Sequence, residues 1–218
     1  MQITSLLPFA LLGSVALARP AEVSTSSSIL SALLRADPTT ASCDGAPAPS
    51  ECATAAQAAP LIEAAMRRFC IHETPVVAAL VDLMLFETGA FKYNRNHFPG
   101  RPGQGTRNMQ MFDFNFQYAL DTPALKSQAI AIAGGESVDA DSISDDKKNE
   151  ILALVMADEY TFASAAWFLT TKCPATIKQG LATGGDAGYE AYLTSCIGTT
   201  AAPERLEHWK VTKEAFGV

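Results

Sequence analysis

The run Val76 to Phe86 is nearly all apolar, and this constrains the chain more than any other feature. A helix without a polar face must be buried on most sides. Both of its ends are marked. Thr74-Pro75 offers an N-cap followed by proline at the first helical position, and Gly89, after Glu87-Thr88, offers a left-handed C-cap. A chain that commits one helix to its interior has to wrap other elements around it, and the punctuation elsewhere is helical too.

Ala55 to Phe69 places Ala58, Leu61, Ile62, Ala65, Met66 and Phe69 on one stripe. Phe112 to Leu120 and Pro123 to Ala133 are shorter candidates. Ser144-Asp145-Asp146 opens another helix, with acids at its positive end, running through Ile151, Leu152, Val155 and Met156. Tyr160 to Thr171, Ala187 to Cys196 and Glu204 to Phe216 complete the set. Period-two alternation is scarce. The expected class is all-α, α+β at most, with a small hairpin between residues 90 and 110. At 218 residues, 48% hydrophobic and 18% charged, the chain fits one globular domain.

The N-terminus reads as processing sequence. Ile3 to Leu17 is almost wholly apolar and Ala16-Leu17-Ala18 has a small-x-small pattern, so residues 1–18 are expected to be a signal peptide. The first residues lack Lys and Arg, which leaves an uncleaved short anchor as the alternative. Residues 19–54, rich in Ala, Ser, Thr and Pro, read as a flexible lead or pro-segment, and 55–218 as the helical domain. No second apolar stretch reaches spanning length, so the expectation is a secreted, extracellular monomer without stable membrane insertion. Five cysteines in an exported chain imply disulfides. Local pairing of Cys43 with Cys52 and of Cys173 with Cys196 is the first choice. Cys70 remains, as a buried thiol or a catalytic one, though no His or Asn pattern supports the latter. His72, His97 and His208 share no ligand spacing, so neither a metal nor a cofactor is expected. A net charge of −7 argues against nucleic acid as a partner.

Chemistry is concentrated after the apolar helix. Glu87 ends that helix, where the dipole and burial both disfavour a carboxylate, and an acid kept protonated is what general-acid cleavage of a glycosidic bond requires. Residues 88–112 contain no Asp or Glu yet hold Lys92, Arg95, Arg101 and Arg107, leaving −11 for the rest of the chain. Gly100, Gly103 and Gly105 permit close approach to a ligand. Asn94, Asn96, Gln104, Asn108 and Gln110 supply amides, and Phe91, Tyr93, Phe98 and Phe112 supply rings. Long loops of this content are more often functional than idle.

The order of these pieces resembles the lysozyme-like superfamily. In lytic transglycosylases a Glu-Ser-Gly helix end supplies the acid and a Gly-Leu-Met-Gln-like segment faces it. Glu87-Thr88-Gly89 and Asn108-Met109-Gln110 take those places here. Family 19 chitinases offer a second likeness. Their His-Glu-Thr helix end is similar to Phe86-Glu87-Thr88, and their Gly-Arg-Gly-x-x-Gln-Leu turn to Gly105 through Met111. Ser164 to Phe168 and Glu204 to Val218 are similar to their later helices, so the likeness covers roughly residues 75–120 and 160–218.

The resemblance implies a secreted enzyme acting on an amino-sugar polymer such as chitin or peptidoglycan. Glu87 would be the acid/base, Gln110, Asn108 and Gln104 would position sugar, and Tyr93 and Arg107 would line the cleft. The pattern departs in one respect. Inverting hydrolysis needs a second carboxylate, none occurs from Thr88 to Phe112, and Asp113 is the nearest substitute. The Ala-Tyr-Asn motif of transglycosylases is also missing, Ala191-Tyr192 being its nearest counterpart. The alternatives are a non-catalytic glycan-binding protein or an effector that touches a membrane or protein through its cationic loop.

Overall fold

The computed structural model describes Met1 and residues 25–218. The signal-peptide reading (1–18) and residues 19–24 of the lead fall outside the described residues. The described part is all-α. In chain order it contains α1 (Thr25–Ala36), α2 (Ala55–Arg68), α3 (Thr74–Thr88), α4 (Phe112–Asp121), α5 (Pro123–Ala133) and α6 (Asp145–Val155). There follow α7 (Asp158–Thr161), α8 (Ser164–Thr171), α9 (Ala175–Ala182), α10 (Asp186–Tyr192), continued by a π turn at Leu193–Ile197, and α11 (Pro203–Ala215).

The apolar run becomes α3, the central helix, with Val76, Leu80, Leu83 and Met84 fully buried. Gly89 caps it in the left-handed conformation (φ 56°), while Glu73 rather than Thr74 holds the N-cap position. Around α3 pack Leu33 of α1, Ile62 of α2, Tyr189 and Tyr192 of α10 and Trp209 of α11. A second core joins Phe116 and Tyr118 of α4, Ala129 of α5, Ile151 and Val155 of α6 and Trp167 of α8. Helix α8 serves both, giving Ala165, Ala166 and Leu169 to the first core and Trp167 and Phe168 to the second. The segment from Gly89 to Met111 bridges the two, with Phe91 in the first core and Phe112 in the second.

Three expectations change. From Thr25 onward the supposed flexible lead belongs to the domain. Ile29 and Leu33 of α1 are buried against α2 and α11, and the Arg35 guanidinium donates to the Ala215 carbonyl. Serines at the start of α1 mimic a linker in composition, but the two apolar residues one turn apart find a core. The hairpin reduces to isolated bridges, Arg95 with Gly105 and Gly105 with Gln110, and no strand forms among the described residues. Cys70 is exposed instead of buried. Both disulfides form as paired from sequence, with Cα–Cα distances of 5.9 Å for Cys43–Cys52 and 5.2 Å for Cys173–Cys196.

Helices α9 and α10 touch through two glycines. A Cβ on Gly188 would overlap the Gly180 carbonyl, whereas a Cβ on Gly180 would meet nothing nearer than the Gly188 Cα at 3.6 Å. Gly188→Ala is therefore expected to destabilise the protein by about 1–3 kcal/mol, as overpacking does, while Gly180→Ala stays close to neutral. Urea denaturation of the two variants side by side checks this asymmetry.

Candidate functional site

The end of α3 sets the site's geometry. The Thr88 hydroxyl donates to the Met84 carbonyl and accepts from the Phe91 N–H at 3.0 Å. Gly89, Ala90 and Phe91 are all left-handed (φ 56°, 58° and 63°), which turns the chain back sharply beneath the helix end. The ring of Phe91 then packs edge-on to Phe162, with centroids 5.5 Å apart.

The loop that follows is braced from within. Arg107 is 2% exposed and donates to the carbonyls of Phe91 (3.1 Å), Tyr93 (2.8 Å) and Glu51 (2.8 Å), with its guanidinium 4.9 Å above the Phe162 ring. Burial pulls this group down to about 10, with the charges of Asp158 and Glu51 partly offsetting that, so it remains a cation at neutral pH. Asn108 Oδ1 accepts from the hydroxyls of Thr106 (2.8 Å) and Ser164 (2.7 Å). Gln110 donates to Asn115 (2.7 Å), which donates onward to the Gly103 carbonyl (2.8 Å). A Cβ on Gly105 would lie 2.7 Å from the Asn94 carbonyl, so this close chain crossing requires glycine.

The sequence reading missed a further brace. Glu51, beside Cys52 of the first disulfide, accepts from the Asn94 and Arg95 N–H groups (2.9 and 3.4 Å). It also pairs with Arg95 at 3.5 Å and with His97 at 2.9 Å. No sequence signal marks Glu51, because its partners lie more than 40 residues away.

Between the helix end and this loop lies an open cleft of about 300 Å³, floored by Glu87, Tyr93, Gln104 and Met109 and rimmed by residues 95–98. Of the residues expected at the site, the structure brings Glu87, Tyr93 and Gln104 together there. Arg107, Asn108 and Gln110 are buried in the loop's own hydrogen bonds and do not line the cleft. Asp113 is exposed in the first turn of α4 and does not line it either. Glu87 is not a lone acid in an apolar surround. Arg205 of α11 donates to it at 2.7 Å, and the same guanidinium sits 4.3 Å above the Phe86 ring. Gln104 donates to the Met109 carbonyl at 3.0 Å, while its buried Oε1 has no hydrogen-bond partner.

A second polar cluster lies along the same α3–α11 seam. Asp82, fully buried in mid-helix, accepts from the Tyr189 hydroxyl and pairs with Nδ1 of His208 at 2.6 Å. Burial, followed by the Asp82 charge, pushes the Tyr189 hydroxyl far up, so it stays protonated and donates. The signal for this cluster was one acid inside an otherwise apolar run, since a buried carboxylate demands partners.

With this geometry in view, comparison with known proteins is informative. The chain is similar to part of an enzyme. It is 43% identical over 162 residues, 74% of its length, to a bifunctional dioxygenase (DOX)-epoxy alcohol synthase (EAS) from Fusarium oxysporum (strain Fo5176). The match covers 12% of that relative, so the chain spans about one-eighth of its length. No protein-family model matches, and no solved structure matches.

This relative overturns the glycoside-cleaving reading, including its hydrolase, chitin and peptidoglycan expectations, because its activities are oxygenation and epoxy alcohol formation. The geometry agrees: Glu87 has an arginine counter-ion, and two of the three amides that the resemblance assigns to sugar, Asn108 and Gln110, are turned inward. The enzyme expectation survives in coarse form, since the matched relative is an enzyme. A dioxygenase needs a centre that activates oxygen. Among the described residues no three His, Cys, Asp or Glu side chains group to hold a metal ion, and His97 and His208 are engaged by Glu51 and Asp82.

Proposed function

We propose that this chain is a ligand-holding helical domain of an enzyme system that makes epoxy alcohols, its cleft taking the oxygenated part of a substrate or product. The observation that carries the reading is the cleft floor, where Glu87, fixed by Arg205, stands beside Tyr93 and Gln104. A carboxylate held in place by an arginine is a pre-organised acceptor for a hydroxyl. Tyr93 adds an apolar ring with a polar tip. The cleft volume, about 300 Å³, is at the low end of ligand pockets, which suits the oxygenated portion of a longer molecule and not the whole of it. The similarity to a dioxygenase-epoxy alcohol synthase supplies the ligand chemistry. Paired cysteines add support for an exported protein.

The test is a titration of the full chain, followed by NMR, with an epoxy alcohol and with the alkene from which it derives. Saturable shifts at the cleft are expected with the epoxy alcohol, and Glu87→Ala should weaken binding about tenfold, the size of one charge-assisted hydrogen bond. Equal affinity for the alkene, or binding indifferent to Glu87→Ala, would refute the reading.

A further inference from the structure

The loop that walls the cleft also carries a largely exposed ring at its rim. Phe98 is 91% exposed, the most exposed large apolar side chain outside the N-terminal methionine among the described residues. Its presentation is built, since the turn beneath it is closed by Asn96, whose Oδ1 accepts from the N–H groups of Gly100 (2.8 Å) and Arg101 (3.1 Å). The Asn96 N–H donates to the Gln104 carbonyl at 3.0 Å, and Glu51 grips the flank through Asn94, Arg95 and His97. The ring is held out on a braced turn and stacks on no other ring among the described residues.

Its neighbours define what it faces. Arg101 is exposed and has no carboxylate within salt-bridge distance among the described residues. Its guanidinium instead touches the sulfur of Met111, itself 41% exposed, at 3.7 Å. Arg95 is half exposed and its acidic contact among the described residues is to Glu51 at 3.5 Å. Residues 88–112 hold four cations and no carboxylate, and Arg95 and Arg101 are the exposed ones that flank Phe98.

From this juxtaposition we infer that the Phe98–Arg101 tip docks reversibly on an anionic lipid bilayer, the ring entering the interface while Arg95 and Arg101 meet lipid phosphates. A protein partner is less well matched. Protein hot spots sit in apolar patches that exclude water around them, whereas this is one convex ring between cations. A bilayer interface accepts such a ring without shape complementarity. The inference is independent of what the cleft binds. Its consequence is that the rim of the cleft, which includes Phe98, lies at the membrane surface.

The experiment is co-sedimentation of the full chain with phosphatidylcholine vesicles containing about one-third phosphatidylserine, and with phosphatidylcholine alone. Binding to the anionic vesicles is expected to exceed binding to phosphatidylcholine alone, the difference being the part assigned to the tip. Arg101→Gln should reduce it roughly fivefold, the effect of one basic residue near such a surface. Phe98→Ser should reduce it about tenfold. Phe98→Trp should keep binding and shift its emission to the blue on adding vesicles, a change assignable by difference because Trp167 and Trp209 are both buried. Absence of binding to anionic vesicles, binding unaltered by both loss variants, or equal capture by soluble polyglutamate would overturn the inference.

Discussion

Asp82→Ala is expected to cost about 3–5 kcal/mol of folding stability, the sum of two hydrogen-bonding groups left without their acceptor, at about 1–3 kcal/mol each, and the void left behind. The carboxylate is fully buried at the middle of α3 and is the shared acceptor for Tyr189 of α10 and His208 of α11. Its loss strands two polar groups on two different helices and opens a small void between them. In a domain of this size that corresponds to a fall in Tm of roughly 6–20 °C. Asp82→Asn keeps the volume and one acceptor for Tyr189, so it should lose distinctly less. Replacing all three groups together, as Asp82→Leu, Tyr189→Phe and His208→Leu, should recover much of the alanine variant's loss, because no polar group is then left unpaired. Chemical denaturation of these variants measures the effect. A loss below about 1 kcal/mol for Asp82→Ala would show that the cluster does not hold α10 and α11 to the central helix.

The second large effect is expected at Arg107. Its guanidinium ties three backbone carbonyls from two separated stretches, Glu51 on one side and Phe91 and Tyr93 on the other, and covers the Phe162 ring. Arg107→Ala should lower stability by about 3 kcal/mol or more, combining unpaired carbonyls with a cavity. Arg107→Lys should not rescue it, since an ammonium lacks the planar fork that reaches several acceptors at once. The loss should also be local. Amide exchange at Asn96 and Gly105, whose N–H groups bond to Gln104 and Gln110, should accelerate more than exchange in α3, and ligand titration of the cleft should fail with it. Uniform acceleration across the molecule would contradict the bracing role.

How far this was visible beforehand differs from element to element. Helix α3, its glycine cap and the two disulfides follow from local signals: an apolar run, a residue fit for the left-handed region, and cysteines close in sequence. Helix α1 was hidden because its serines look like a linker and its buried side is marked by just Ile29, Ala32 and Leu33. Glu87, Tyr93 and Gln104 do share a cleft. Arg107, Asn108 and Gln110 share their neighbourhood in sequence but face inward, since a loop running through three left-handed residues and a glycine crossing leaves carbonyls that the chain must satisfy itself. Residue type shows that a side chain can hydrogen-bond, while the direction in which it bonds depends on that path. Asp82 and His208 lie 126 positions apart, so their pairing belongs to the packed structure alone, although an acid in an apolar helix announced that some partner existed.

The grip of Glu51 on the cleft wall bears on where this unit can be cut or joined. Glu51 and the carbonyl that Arg107 holds lie N-terminal to α2, in a stretch that composition alone would trim as a tether. A fusion or a natural rearrangement that kept only the helices from α2 onward would carry the cleft without the brace that holds its wall. The transferable module therefore begins no later than α1, and gene-level shuffling of this architecture has to move that leading helix and its cystine loop together with the bundle.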